Sequence, residues 1–275
     1  MTAPTLSELK RLTDDVVQIL SKEGPVVEFE SDEVAFVGDI HGDYESLSRV
    51  LSYWESRICW LGDYVDRGPA QIESVIALMA AKVAEPNRII TLRGNHETTS
   101  MNYYYGFYDV VRRKLGAAAY GLFASFFAQL PFCAVWNGEV VGLHGGVPEG
   151  AESVNYLKYR LRKGEEDVTD PVALQIIWND PSEEVYEFSE SQRGPGFRLF
   201  GRRVVENFLR SSNARLLIRA HEPVEGGYSV MFDGMLVTVF SCRYYGVGHS
   251  IALMRRGSGP RGVTIDSLQR SSRYL

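Results

Sequence analysis

The chain has 275 residues, of which 45% are hydrophobic and 23% charged, and its formal net charge is −6. That length can bury a sizeable core, and the acidic balance argues against a surface that coats nucleic acid. No run approaches the roughly 20 apolar residues of a membrane-spanning helix, and the first residues mix apolar with charged side chains, unlike the hydrophobic centre of a signal peptide. Three cysteines, Cys59, Cys133 and Cys242, lie far apart in sequence. Buried free thiols in a reducing compartment are expected, and with them a cytoplasmic protein built as one domain over residues 1–275.

In chain order, Leu6, Leu9, Leu12, Val16, Ile19 and Leu20 recur at helical spacing. Val26 to Phe29 and Val34 to Val37 predict a strand pair around Ser31-Asp32. The second of these runs into Gly38-Asp39-Ile40-His41-Gly42. Leu47, Val50, Leu51 and Trp54 share a helix face. Ile58 to Leu61 is the next strand and ends at Gly62-Asp63-Tyr64-Val65-Asp66-Arg67-Gly68. After a further helical stripe (Ile72, Val75, Ile76, Met79, Val83), Ile89 to Leu92 leads into Arg93-Gly94-Asn95-His96-Glu97. Strand, polar loop and helix, three times over, predict βαβ units and a largely parallel or mixed sheet. In such sheets ligands bind beyond the carboxyl ends of the strands, where all three clusters fall.

Tyr103 to Tyr108 is dense in aromatics and opens a mostly helical stretch. Leu122, Phe123, Phe126, Phe127 and Leu130 read as a core face, with an aromatic ring over a substrate groove as the alternative. Phe132 to Trp136, Asn137-Gly138 and Glu139 to Leu143 predict a hairpin, because Asn-Gly suits the positive φ angles of a type I′ turn. Its second strand ends at His144-Gly145-Gly146. Residues 151–200 read as polar and irregular, with Lys163 to Asp167 as a solvated charge run, and contain Trp178-Asn179-Asp180-Pro181 and Arg193-Gly194-Pro195-Gly196. A helix at Val204 to Leu209 and a strand at Leu216 to Ile218 precede His221. A second hairpin turns at Asp233-Gly234. Ser241 to Gly246 is a loop, Ile251 to Met254 a last strand, and the tail is rich in Gly, Arg and Ser.

Four of the five histidines (His41, His96, His144, His221) follow strand-like runs, together with Asp39, Asp63 and Asn95. A lone histidine is more often structural, but this constellation points to ligands. Imidazole and carboxylate without thiolate suit two divalent ions, manganese first and iron, zinc or cobalt as alternatives. Asp39 and His41 are spaced to serve one ion, since residues two apart on an extended strand point the same way. Asn95, His144 and His221 would serve the other, and Asp63 can bridge. Such a centre with Arg67 and Arg193 beside it suits a phosphate ester, and two ions can activate water against phosphorus. His96, oriented by Asp66, would protonate the leaving group. A structural salt bridge of Asp66 to Arg67 is the alternative.

At these residues the sequence resembles the phosphoprotein phosphatase family of metal-dependent serine/threonine phosphatases. The resemblance rests on the three clusters between Gly38 and Glu97 in their order and spacing. The Trp178, Arg193, His144 and His221 motifs extend it over roughly residues 34–246. It implies an α/β (α+β) fold with a central β-sandwich of two mixed sheets flanked by helices, metallophosphoesterase-like, in place of one doubly wound sheet. It implies metal ligands at Asp39, His41, Asp63, Asn95, His144 and His221. It further implies phosphate contacts from Arg67, Arg193 and Asn95, an acid at His96 with Asp66, and phosphorylated proteins as partners. The family loop Ser-Ala-Pro-Asn-Tyr reads Ser241-Cys242-Arg243-Tyr244-Tyr245 here. Tyr245 takes the tyrosine's place at the substrate, and Arg243 replaces the proline. The chain is close to a bare catalytic core, a form similar to prokaryotic or archaeal members. The nearest rival reading is a diadenosine-tetraphosphate hydrolase, which shares the first three clusters. A non-catalytic phosphopeptide-binding relative would be expected to have lost ligands, and none is missing.

Overall fold

The apolar runs at 34–37, 58–60 and 89–91 are buried on both faces, which a single solvent-facing sheet would not require. The computed structural model describes residues 4–269. Its strands are β1 (Val26–Phe29), β2 (Glu33–Val37), β3 (Arg57–Trp60), β4 (Ile89–Thr91), β5 (Cys133–Trp136), β6 (Val140–Leu143), β7 (Asp180–Pro181), β8 (Phe188–Glu190), β9 (Arg198–Phe200), β10 (Leu216–Arg219), β11 (Tyr228–Met231), β12 (Leu236–Val239), β13 (Ser250–Arg255) and β14 (Arg261–Thr264). They form one sheet in the order β14-β13-β2-β3-β4, a second in the order β1-β5-β6-β10-β12-β11, and a small third, β7-β9-β8. Both large sheets are mixed. In the first, β2, β3 and β4 run parallel and β13 antiparallel to β2. In the second, β6, β10 and β12 run parallel.

Period-two alternation then assigns each side chain to a layer. Val34 and Phe36 of β2, with Cys59 of β3, face Ala134, Trp136, Val140 and Ile218 between the sheets. Ala35, Val37, Ile58 and Trp60 point the other way, onto helices α1 (Leu6–Leu20), α2 (Tyr44–Tyr53), α3 (Gln71–Ala84), α4 (Thr99–Tyr105), α5 (Phe107–Leu115) and α6 (Tyr120–Ala128), chiefly α1, α2, α3, α5 and α6. Val141, Leu143 and Leu217 of the second sheet pack on α7 (Val154–Arg160), α8 (Pro171–Trp178) and α9 (Arg202–Ser211). The result is helix, sheet, sheet, helix, as the resemblance implied. Each Val, Leu, Ile or Phe buried in these layers contributes roughly 1.5–3 kcal/mol relative to exposure.

Three expectations change. The runs at Val26 and Val34 are not paired with each other: β1 pairs with β5 and β2 with β3 and β13, so they sit in different sheets. Residues 151–200 are not irregular. Ser153 and Asp170 cap α7 and α8, with Pro171 at the first helical positions of α8, and β7–β9 follow. The tail holds a further strand, β14, on β13; its last six residues, 270–275, lie outside the described residues. The Asn137-Gly138 hairpin is as expected, with φ of 52° and 70° at the two turn residues. All three cysteines are buried and free. Among the described residues, no helix is long and apolar enough to cross a membrane.

Candidate metal centre

The parallel strands of both sheets end on one side of the molecule. Beyond β2 comes Asp39, beyond β3 Asp63, beyond β4 Asn95, beyond β6 His144 and beyond β10 His221. A parallel bridge between Asp39 and Phe240 joins the two sheets there. Gly38 permits it, since a Cβ at that position would lie 2.0 Å from the Val239 carbonyl oxygen.

The side chains converge on Asp63. Its Oδ2 lies 3.7 Å from His41 Nε2 and 3.9 Å from His96 Nε2, while its Oδ1 lies 3.3 Å from His144 Nε2. Two groups of possible ligands follow, His41 with Asp63 and His96, and Asp63 with His144 and His221. Asp39 Oδ2 is 3.5 Å from His41 Nε2, and Asn95 Oδ1 is 3.0 Å from His144 Nε2. His144 Nε2 is also 3.2 Å from His221 Nδ1. All six residues are nearly or fully buried.

The backbone sets the imidazoles. His41 Nδ1 lies 2.8 Å from the Val65 carbonyl and His144 Nδ1 2.9 Å from that of Leu61. With Nδ1–H donated there, each presents the Nε2 lone pair inward, the arrangement that orients metal-binding histidines. Buried Asp39 Oδ2 and His221 Nε2 have no hydrogen-bond partner. Buried polar atoms are rarely left so, and together with the mixed imidazole–carboxylate donor set this fits divalent cations.

The electrostatics agree. Burial alone would lower His41, but the neighbouring carboxylates of Asp39 and Asp63 outweigh that and push it up to about 9. Burial would raise Asp63, yet His144, His96 and His41 hold it well below the usual carboxylate range. His221 is driven well below the ordinary imidazole value by burial and by the charges of His144, Arg193 and Arg219, which keeps it a neutral donor.

Backbone strain concentrates here. His41, Asp63, Asp66, Arg67 and His221 have φ of 45°, 57°, 66°, 71° and 71°. Non-glycine residues in that region are uncommon and cost about 1–3 kcal/mol each, so they collect at functional sites. Asp39 and His41 therefore do not share a strand face, as their spacing suggested; the left-handed turn at His41 aims its ring.

Residues 33–225 match the calcineurin-like phosphoesterases. The chain belongs to that family. Over 92% of its length this phosphoesterase is similar to a protein serine/threonine phosphatase from Saccharomyces cerevisiae with similarity to human phosphatase PP5, at 26% identity and a TM-score of 0.86, with 84% of the yeast chain covered. A cold-active protein tyrosine phosphatase shares the fold at 15% identity and a TM-score of 0.64, over 90% of this chain and 80% of that one. The yeast match agrees with the phosphoprotein phosphatase resemblance of the motifs.

The remaining residues singled out in the sequence stand around this centre. His96 Nδ1 is 2.7 Å from Asp66 Oδ2, and Asp66 Oδ1 accepts the Phe107 N–H at 3.0 Å. Asp66 is thus spoken for by His96, while the exposed Arg67 lays its guanidinium over the Tyr105 ring, 4.3 Å from the centroid. Arg193 Nε pairs with Asp180 at the rim. The Tyr245 ring stacks on His41 at 5.5 Å.

Four further residues shape the site without having been assigned a part. Tyr105 touches both Arg67 and His96, its ring 4.6 Å from the latter; the aromatic run was the available signal. Glu97 accepts the backbone N–H groups of Asp63, Tyr64 and Gly94 at 2.7, 2.8 and 2.9 Å. Burial, then the charge of Asp63, pushes it up to about 7. Arg93 donates to the carbonyls of Glu97, Glu165 and Glu166, so the Lys163 to Asp167 run is a cap on Arg93 as well as a solvated surface. Buried Arg219 donates to Gly145 O at 2.6 Å, to Asp180 Oδ1 at 2.8 Å and to Glu222.

Proposed function

We propose that this phosphoesterase hydrolyses phosphoserine and phosphothreonine in proteins, with two divalent ions, manganese first, held by Asp39, His41, Asp63, Asn95, His144 and His221. The observation that carries the reading is the placement of Asp63, whose two carboxylate oxygens face two separate histidine groups. When bound, two such ions lower the pKa of water and neutralise charge on the phosphoryl oxygens. The protein's own residues orient and protonate. His41 and His144 are fixed from behind by backbone carbonyls. Arg67 and Arg193 offer planar forks to phosphate oxygens, a geometry Lys does not reproduce. Tyr245 covers the His41 ring and Tyr105 backs Arg67, which narrows the approach to the centre. His96, held through Nδ1 by Asp66, keeps Nε2 free to give a proton to the leaving serine or threonine oxygen.

The likeness to the yeast serine/threonine phosphatase supports protein substrates. Phosphorylated proteins in the cytoplasm are then the partners. The test is turnover, with added manganese, of phosphoserine and phosphothreonine peptides against dinucleoside tetraphosphates. Faster hydrolysis of the peptides is expected; much faster turnover of the tetraphosphate would replace this reading with the hydrolase. His96→Asn should lower kcat on a phosphoserine peptide by about 10²–10⁴-fold. It should matter less with nitrophenyl phosphate, whose leaving group needs no proton. An unchanged peptide rate would remove His96 from the acid role.

A further inference from the structure

The segment from Ser241 to Ser250 closes one side of the metal centre. Its ends are anchored to each other and to the β2 loop: Ser241 Oγ donates to Ser250 O at 2.6 Å and accepts the Gly38 N–H at 2.9 Å, and Ser241 N–H reaches Asp39 O at 3.3 Å. Beyond Tyr245, Val247 O accepts the Gly226 N–H at 2.6 Å, while Gly246 at φ 72° and Gly248 at φ 102° bring no side chains to the turn. Tyr245 itself is held by ring contacts, stacked on His41 at 5.5 Å and edge-on to Phe240 at 4.9 Å. Such contacts alone are weak guides, so the placing of Tyr245 depends on what fixes the segment.

Arg243 does this, two residues before the ring. Its backbone N–H and its Nε both reach Asp43 Oδ2, at 3.0 and 3.1 Å, and its Nη1 pairs with Glu45. Asp43 is a rigid anchor. It is fully buried and caps α2, accepting the Ser46 N–H at 3.1 Å on Oδ1 and the Ser46 hydroxyl at 2.7 Å on Oδ2.

We propose that Arg243 is a positioning residue for the phosphate site: its latch onto Asp43 and Glu45 pins the Ser241–Ser250 segment to the N-terminus of α2 and so keeps Tyr245 over His41. This rests on the phosphatase reading for its consequence, not for its geometry. The metal ligands do not depend on the latch. His41 is held by Val65 O, and Asp39 Oδ1 accepts the His221 N–H at 2.8 Å. Loosening the segment should therefore weaken substrate capture and leave metal loading intact.

The variants are Arg243→Ala, Arg243→Lys, Tyr245→Ala and the Arg243→Ala/Tyr245→Ala double. In Arg243→Ala, amide hydrogen exchange should rise over residues 242–248 and metal content should hold. KM for a phosphoserine peptide should rise about five- to tenfold with kcat within about twofold, the loss of a charged hydrogen bond falling on binding. Arg243→Lys, which keeps a cation for Asp43 and Glu45, should recover part of this. If Arg243 acts through Tyr245, the double variant is no worse than Tyr245→Ala alone. Additive effects, unchanged exchange in the segment, or lost metal would each overturn the proposal. A wild-type protein that hydrolyses none of the substrates would overturn the functional reading instead, and the exchange comparison would still decide the latch.

Discussion

The loops after β2, β3 and β4 hold one another through repeated backbone contacts, whereas those after β6 and β10 meet through the Ala220 N–H on His144 O at 2.9 Å and lean otherwise on a buried guanidinium. On the first side, Ile40 and His41 donate to Asp63 O at 2.9 and 2.8 Å, Gly42 to Tyr64 O, and Gly68 to His41 O, with Glu97 gathering three more amides. On the second, Arg219 joins Gly145, Asn179, Asp180 and Glu222, and Asp180 passes the connection on to Arg193. The first frame is a lattice of peptide groups that no single side-chain change dissolves. The second is a chain of ion pairs that ends on Arg193, the arginine proposed to meet phosphate. Under the proposed function the difference separates what places Asp63 from what would receive the substrate, and it can be tested at each end.

The largest effect is expected at Asp63, the one side chain in both ligand groups. Asp63→Asn keeps the shape and an acceptor for the His96 N–H, which Oδ1 now receives at 3.0 Å, but removes the charge that either group would use. Metal content measured on the purified protein should fall, and kcat/KM should drop by roughly 10³-fold or more, the scale of losing several kcal/mol of charge stabilisation. Full metal content in this variant would separate Asp63 from the ligand set.

A smaller and different loss is expected at the end of the ion pairs. Arg193→Lys keeps the charge and loses the fork, so kcat/KM should fall by about 10–100-fold through lost paired phosphate contacts. Metal content should not change, because Arg193 touches Asp180 and none of the proposed ligands. If metal were lost with the arginine, the two frames would be one.

The same division marks what could be read from the sequence. Ligand-type residues at strand ends are visible because Asp, His and Asn after an apolar run are unusual wherever they occur. The helices and the Asn137-Gly138 turn are visible because their signals are local. Sheet membership is not: β1 and β2 are both short runs rich in Val and Phe, so either could have paired with the other, and only the partners supplied by β5 and β13 decide. β14 has no apolar run to mark it, being largely exposed on the edge. Glu97 and Arg219 stood in plain view within their motifs, but their work is to bind backbone groups. For Arg219 one such group is Gly145 O, 74 residues away, and no spacing rule reports that contact. The caps at Ser153 and Asp170 were legible and were outweighed by the polar composition around them.

The smallest effect tests the far end of the strand that carries His144. Gly138 sits at φ 70° in the β5–β6 turn, and a Cβ there would meet nothing within 4 Å. Gly138→Ala therefore adds no clash, only the strain of a left-handed alanine, about 1 kcal/mol of folding stability. Denaturant unfolding should show that loss while kcat/KM and metal content stay at wild-type values. Asn137, which bonds Ser31 through both its amide oxygen and nitrogen, keeps the turn in place, and the register of β6 against β5 and β10 is fixed along its length. A fall in activity from this change would mean that strain at the turn travels down β6 to His144, and that the second frame is softer than its buried guanidinium suggests.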